Sequence, residues 1–317
     1  MVVDADGQMV TQREHSRLAR VRTALVADSA GVARRVRLMA DDMPDLDLCP
    51  PQGTVSRGPP GDTDDAAQEI GDTTQGIGDT TRGISEAAQE GLPRQVTLHG
   101  RAVQVRSCTP AADAWFTQVL KRPVQLVCQH PEDLRWVAPG YAAAILAQTL
   151  AIQAVQGMGV DRPVTDPASA AAPLVSLADG FPYLLANQAT LQALADRGVD
   201  VPMNRFRPNL VVAGAAADAE YAWREIGIGG TRFALVKPCE RCVVTTIDQE
   251  RGERTGKEPL TALARSHFLS MDTPDGDRIQ GAIFGENALV LQTGILLVGA
   301  PLTISATGSA RPFRTPG

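Results

Sequence analysis

Arg205-Phe206-Arg207-Pro208-Asn209-Leu210-Val211-Val212 opens as an aromatic bracketed by two arginines and closes as a β-branched run. Pro208 fixes its own backbone, so Asn209 presents an amide at the start of a strand over Leu210 to Val212. From here on the chain reads as β. Ile226 to Ile228, Phe233 to Val236, Val243 to Ile247, Leu289 to Gln292 and Ile295 to Ile304 are apolar or β-branched runs of strand length, separated by Gly, Pro and Asp turns. That spacing predicts a β-rich C-terminal domain, a small barrel or sandwich. Upstream, Arg94 to Arg106 alternates as strand, turn at His99-Gly100, and strand. Asp113 caps a helix whose Trp115, Phe116, Val119 and Leu120 share one face, and Pro123 stops it before a strand over Val124 to Cys128. Asn187 opens a helix carrying Leu191 and Leu194, ended by Gly198. The predicted fold class is α+β, rich in β.

The chain has 317 residues, of which 44% are apolar, enough to bury cores for two domains. Its net charge is −6, and no dense Lys/Arg run is present, which argues against nucleic-acid binding as a module. Gly58 to Gly91 is a low-complexity insert. It holds the tandem Ile70-Gly-Asp-Thr-Thr-Gln-Gly76 and Ile77-Gly-Asp-Thr-Thr-Arg-Gly83, and lacks the aromatics, Leu or Val that would offset ordering entropy. A disordered loop is expected there. It carries eight acidic residues against one Arg, so the remaining residues sum to +1. Ala138 to Val160 carries no charge, but Gln148, Thr149, Gln153 and Gln156 are scattered around its Ala-rich turns; a buried or docking helix is expected rather than a membrane span. The opening Met1 to Gly7 has no basic or apolar signal segment, which together with five sparse cysteines predicts a cytoplasmic protein with reduced thiols.

Lys237-Pro238-Cys239-Glu240-Arg241-Cys242 supports several chemistries. A structural zinc site wants a second cysteine pair, and Cys49, Cys108 and Cys128 form none in sequence. Disulfide exchange wants the pair at a helix N-terminus, whereas Val243 to Ile247 reads as strand. A thiolate flanked by Lys237 and Arg241, open to a soft metal or an electrophile, remains, as does the plain reading of two small buried hydrophobes. The arginines of the Arg205 to Asn209 run suit an anion, since guanidinium offers a planar fork to phosphate.

Arg205 to Val212, then Cys239-Glu240-Arg241-Cys242 with Thr245-Thr246-Ile247-Asp248, then Gly256-Lys257-Glu258-Pro259-Leu260 and Phe284-Gly285-Glu286-Asn287, in this order and spacing, resemble the MOSC domain. Val2 to Gly7, Thr11-Gln12-Arg13, Ala114-Trp115-Phe116, Arg122-Pro123-Val124 and Ala178-Asp179-Gly180-Phe181-Pro182 resemble the N-terminal MOSC β-barrel region that precedes it in bacterial MOSC proteins and in the mitochondrial amidoxime reducing component. The resemblance implies an N-terminal region over 1–127 and a MOSC β-barrel at 161–306 packed on that α+β region; the disordered insert at 58–91 and an atypical Ala-rich helical segment at 128–160 depart from the family, and a flexible tail is expected at 307–317. It also implies a molybdenum cofactor, a pterin dithiolene with a terminal phosphate. Cys242 would be its metal ligand and catalytic centre; Arg207, Asn209 and Arg241 would contact the pterin or phosphate, with Asn287, Asp179, Gly180 and Phe181 nearby.

The implied reaction is a two-electron reduction of a small N-hydroxylated substrate, an amidoxime or a hydroxylated base. Its electrons would come from a separate reductase or ferredoxin-like partner, since this chain shows no C-x4-C-x2-C run for an iron–sulfur cluster of its own. The second reading is a non-catalytic molybdenum-cofactor or sulfur carrier, because MOSC domains also end cofactor sulfurases; those have a pyridoxal-phosphate domain upstream, and none is seen here. Relatives begin with a strand and a D-R-R-W motif before the turn at Val3 to Gly7, and their absence implies an N-terminally truncated or degenerate member.

Overall fold

A computed structural model describes residues 1–27, 33–49, 93–130, 133, 135, 137, 138, 140, 141, 175–274, 276–310 and 313. The expected insert at 58–91 and most of the Ala-rich stretch at 138–160 lie outside the described residues. In the N-terminal region, strands β1 (Val2–Val3), β5 (Pro93–Leu98), β6 (Arg101–Ser107) and β7 (Gln125–Gln129) form an antiparallel sheet of order β1-β7-β6-β5. Strands β2 (Arg22–Ala27), β3 (Ala33–Met39) and β4 (Leu46–Leu48) form a second, three-stranded sheet. The β5–β6 turn is at His99-Gly100, both at positive φ, as a tight hairpin requires.

Helix α1 (Pro110–Leu120) places Trp115, Phe116 and Leu120 against Val2, Val10, Leu38 and Val124. Asp113 is not its cap. Thr109 accepts from the Ala112 N–H (3.2 Å) with Pro110 in the first turn, while Asp113 accepts from the Leu126 N–H of β7 (2.7 Å). A hydroxyl one residue ahead of a proline meets the geometry of a cap, which frees the carboxylate to tie the helix to the sheet.

The C-terminal region contains β8 (Tyr183–Asn187), α2 (Gln188–Ala195), β9 (Leu210–Val212), β10 (Trp223–Ile228), β11 (Thr231–Glu240), β12 (Ile247–Asp248), β13 (Glu253–Arg254), α3 (Leu260–Ser266), β14 (Phe268–Asp272), β15 (Arg278–Gln292) and β16 (Leu302–Thr307). Its main sheet has the order β16-β10-β11-β15-β8-β9, with β14 also paired to β15, and curls into a half-barrel. Asn187 caps α2, its side chain accepting from the Ala189 N–H (3.0 Å). Among the described residues no helix is long and apolar enough to cross a membrane.

Two predicted strands are different. Val243–Thr246 is a 3-10 turn, because the Thr245 and Thr246 hydroxyls donate to the carbonyls of Cys242 (2.9 Å) and Val243 (2.7 Å) and close the backbone on itself. Only Ile247–Asp248 of that run is strand. Ile295 to Pro301 is a loop before β16, turning where the Ala300 N–H donates to Leu297 O (3.1 Å) and Gly299 sits at positive φ. After β16, the Gly308 N–H donates to Ala222 O (2.8 Å) and Phe313 packs edge-on to Tyr221 (4.8 Å), tying both residues to the 3-10 turn Ala219–Ala222 that precedes β10.

Strand β15 reaches three partners because it is bent at Gly285. That residue has φ +82°, and a Cβ there would lie 2.4 Å from Leu185 O of β8. Its N–H leaves the ladder to donate to the buried Tyr221 hydroxyl (3.1 Å). Gly285→Ala therefore combines a left-handed conformation with a backbone clash, and should destabilise the fold by ~2–4 kcal/mol, read as a lowered Tm. An unchanged Tm would show that the crossing relaxes freely.

Glu220 is fully buried beside this strand and accepts from Asn187 Nδ2 (2.9 Å) and the Thr190 hydroxyl (2.8 Å). Burial holds its carboxyl above the usual range, and the hydrogen bonds only partly counter that. The folded state thus binds this proton more tightly than the unfolded chain does. The stability it contributes is complete below the unfolded value of about 4.3 and is lost as pH rises through the folded one. As pH rises above about 4.3, Glu220→Gln should flatten the fall of Tm relative to the wild type; parallel profiles would mean that Glu220 titrates normally.

Candidate functional site

The arginines expected to act together are divided by the fold. Met203–Phe206 forms one 3-10 turn that buries Arg205 and Phe206, and Arg207 ends it in the left-handed region (φ +54°) with its side chain exposed. Arg205 faces inward. Its Nη1 donates to the Thr255 hydroxyl (2.9 Å) and its Nη2 pairs with Asp248 (3.4 Å), which anchors the turn to β12 and the chain after β13. Asp248 is held below the ordinary carboxylate range first by the Arg251 N–H and then by that of Glu250, with Arg205 adding a smaller pull. Asn209 is built into the sheet: its Oδ1 accepts from the Leu184 N–H (2.8 Å) and its own N–H donates to Leu184 O (2.9 Å).

Phe206 stacks on Phe284 of β15, with centroids 3.8 Å apart and planes at 20°. The Arg241 guanidinium lies over Phe206 at 5.6 Å, donates through Nη2 to Phe206 O (2.8 Å) and through Nη1 to Cys239 Sγ (2.9 Å). The backbone N–H of Arg241 donates to Ala282 O of β15 (2.8 Å). The turn before Arg207 and the cysteine run are thereby fixed to each other through one aromatic stack. Among the described residues, the buried Nε of Arg241 has no partner.

Cys242 immediately precedes the 3-10 turn, half-buried, and its carbonyl accepts from the Thr245 N–H (3.1 Å). Both Cys239 and Cys242 are free thiols, and among the described residues nothing hydrogen-bonds the Cys242 Sγ. A single 3-10 turn offers little of the dipole on which a dithiol exchange site relies. Pro238 falls between two register shifts of the β11–β15 ladder, as a residue without an N–H should, and these shifts re-aim the chain into the cysteine run. Lys237 pairs in register with Asn287, whose Nδ2 donates to Lys237 O (3.1 Å). Lys237 Nζ lies 3.7 Å from Glu240 and borders a cavity of about 350 Å³ with Tyr141, Val236 and Thr273.

Asp179, Gly180 and Phe181 lie on the segment that leads into β8. Arg135 donates to the carbonyls of Ala178 (2.8 Å) and Asp179 (3.1 Å), Asp179 pairs with His99 Nε2 (2.7 Å), and Phe181 packs edge-on to Tyr141 (5.1 Å). Among the described residues, no hydrogen bond or ring contact joins this segment to Arg207, Arg241 or Cys242. Sequence reading overlooked Phe284 and Phe206 as the platform under Arg241. The one available signal was Phe284 standing beside the Gly285 bend.

Residues 173–303 match the MOSC domain family. The chain carries a MOSC domain. It is similar to mitochondrial amidoxime-reducing component 1 of Homo sapiens, 29% identical over 209 residues that cover 65% of this chain and 54% of that protein. The Xenopus laevis protein of the same name is 35% identical over 131 residues, covering 41% of this chain and 38% of its own length. The chain thus spans about half the length of the human protein it matches, and less of the frog one. The crystal structure of YiiM from Geobacillus stearothermophilus overlaps 40% of this chain and 55% of its own, at 16% identity and a TM-score of 0.29.

Arg205 and Arg207, two apart in sequence, should separate in experiment. Arg205→Ala leaves Asp248 and Thr255 without their buried partner and should cost ~2–4 kcal/mol; Arg207→Ala should change stability by less than about 0.5 kcal/mol. Equal thermal shifts for the two variants would overturn this division.

Proposed function

We propose that this MOSC protein binds a molybdenum cofactor and reduces N-hydroxylated compounds of the amidoxime class. The observation that carries the reading is the junction of a partly accessible thiol, Cys242, with a guanidinium held by the Phe206 ring and carbonyl, Arg241; among the described residues the Cys242 Sγ has no hydrogen bond and the Arg241 Nε–H no partner. A thiol suits a soft, redox-active metal, and guanidinium suits a phosphate, so the donors fit such a group. The names of the relatives, amidoxime-reducing components, support the substrate class.

Cys242 would hold the metal, Arg241 and exposed Arg207 would take the anionic pterin phosphate, and Asn209 would fix the turn that carries Arg207. When bound, the group would supply the two electrons that convert an amidoxime and two protons into an amidine and water. The chain's own work is geometric. Phe206 keeps Arg241 from swinging away, the Asn209 side chain locks the turn to β8, and Thr245 holds the backbone that aims Cys242. Cys239 accepts from Arg241 and so positions it. A separate protein partner would deliver the electrons.

In a cofactor-competent host, Cys242→Ser should abolish molybdenum retention, measured by elemental analysis, with near-UV circular dichroism unchanged. Cys239→Ser should lose only part of the metal, since it removes one of several contacts on Arg241. Equal loss at both cysteines would point instead to a paired-thiol site. Full molybdenum with no amidoxime reduction from any competent donor would exclude the enzyme reading.

A further inference from the structure

The sequence offers no second cysteine pair, but folding makes one. Arg106 of β6 pairs with Cys128 of β7, and the Cys108 N–H donates to Leu126 O (2.9 Å), which puts Cys108 and Cys128 diagonally adjacent on one face of the sheet. The two thiols act on each other electrostatically, and Cys128 Sγ reaches Arg106 O (3.6 Å). Both are half-buried and neither is in a disulfide. The charged groups facing them are the α-amino group of Met1, at Val127 O (2.8 Å), Arg106, and Asp113 of α1. The neighbouring Cys108 thiol outweighs burial and holds the Cys128 thiol below the ordinary thiol range, while Cys128 and burial push Cys108 up.

We propose that Cys128 and Cys108 are a reversible, peroxide-responsive dithiol, with Cys128 the attacking and Cys108 the resolving sulfur. This is separate from the Cys242 site and does not depend on that reading. The Cys128 thiolate attacks one oxygen of hydrogen peroxide, the O–O bond breaks, and the released hydroxide takes a proton to leave as water. Cys128 is then a sulfenic acid. The Cys108 sulfur, its proton passed to the departing hydroxyl, attacks Cys128 Sγ; the S–S bond forms, the S–O bond breaks, and a second water leaves. One peroxide is reduced by two electrons and two thiols are oxidised to one disulfide. A low-pKa, partly exposed thiol beside a resolving cysteine is the arrangement that this chemistry selects.

The geometry also sets how long the bond lasts. Diagonal neighbours on an antiparallel pair are separated by about 7–8 Å. A relaxed disulfide spans Cα atoms only about 4.4–6.8 Å apart, so closing this one pulls on the strands and leaves it easily reduced. A thiol of the glutathione class, oxidised to its own disulfide, would restore the dithiol.

The test uses the full chain and peptide mapping of all five cysteines. Limiting iodoacetamide at pH 7 should label Cys128 at least ~5-fold faster than exposed Cys49, because an ordinary thiol is only a few per cent ionised there. Peroxide should yield a Cys108–Cys128 linked peptide that glutathione removes. Cys108→Ser should instead accumulate a dimedone adduct at Cys128, and Cys128→Ser should give neither link nor adduct at Cys108. Labelling of Cys128 no faster than Cys49, or peroxide linkage only through Cys239 or Cys242, would overturn the proposal; the labelling comparison needs no variant, so misfolding of one cannot mask it.

Discussion

The stack of Phe206 on Phe284 is the contact through which the candidate site is assembled. Phe284 belongs to β15, the strand that joins β8, β11 and β14, while Phe206 belongs to a single turn with little hydrogen bonding of its own. Rings 3.8 Å apart convert the position of the sheet into the position of the turn, and Arg241 is then held by the Phe206 carbonyl and ring together. A flexible cation is thereby immobilised without a carboxylate, so its charge is left for an anion from outside. That outcome differs from Arg205, whose charge is spent on Asp248 inside the protein.

Charge follows the same logic at larger scale. The acidity of the chain is concentrated in 58–91, and the rest is close to neutral, with Arg207, Lys237 and Arg241 on the elements around the cysteine run. An excess of negative charge across the folded body would oppose an anionic ligand at long range, whereas a neutral body leaves the local cations to act over roughly a Debye length.

Much of this was legible in the sequence, and the limits have physical causes. Alternation and turn chemistry gave the hairpin at His99-Gly100, the helix at Asn187 and strands β9, β10 and β11, because each depends on local residues. Val243 to Thr246 misled because β-branched residues favour strand, while two of them here are threonines whose hydroxyls turn back on the backbone. Asp113 misled because Thr109 takes the cap while the Leu126 N–H of β7 takes the Asp113 carboxylate, and only the fold decides between them. Arg205 and Arg207 look equivalent in a motif; a positive φ at Arg207 sends one outward and leaves the other inside. The pairing of Cys108 with Cys128 was invisible for the plainest reason, since strand register is not written in cysteine spacing.

The N-terminal sheet is more than a support for the MOSC domain, because its last strand leads directly to the residues that connect the two. Past β7, the Gln104 N–H donates to the Asp133 carboxylate and Gln129 Nε2 to the Asp133 carbonyl (2.8 Å), so the chain from Cys128 to Asp133 is fastened to β6. Two residues later Arg135 clamps the carbonyls of Ala178 and Asp179, four residues before β8 begins. Asp179 then reaches back to His99 at the opposite end of the same sheet. β8 is in turn the strand to which Asn209 locks the Arg207 turn. The segment 175–182 that feeds β8 is thus held twice over, by the Arg135 guanidinium and the Asp179–His99 pair at its polar carbonyls and carboxylate, and by Val175 and Phe181, which pack with Tyr141, Ala234 and Leu289 of the MOSC sheet and its flank.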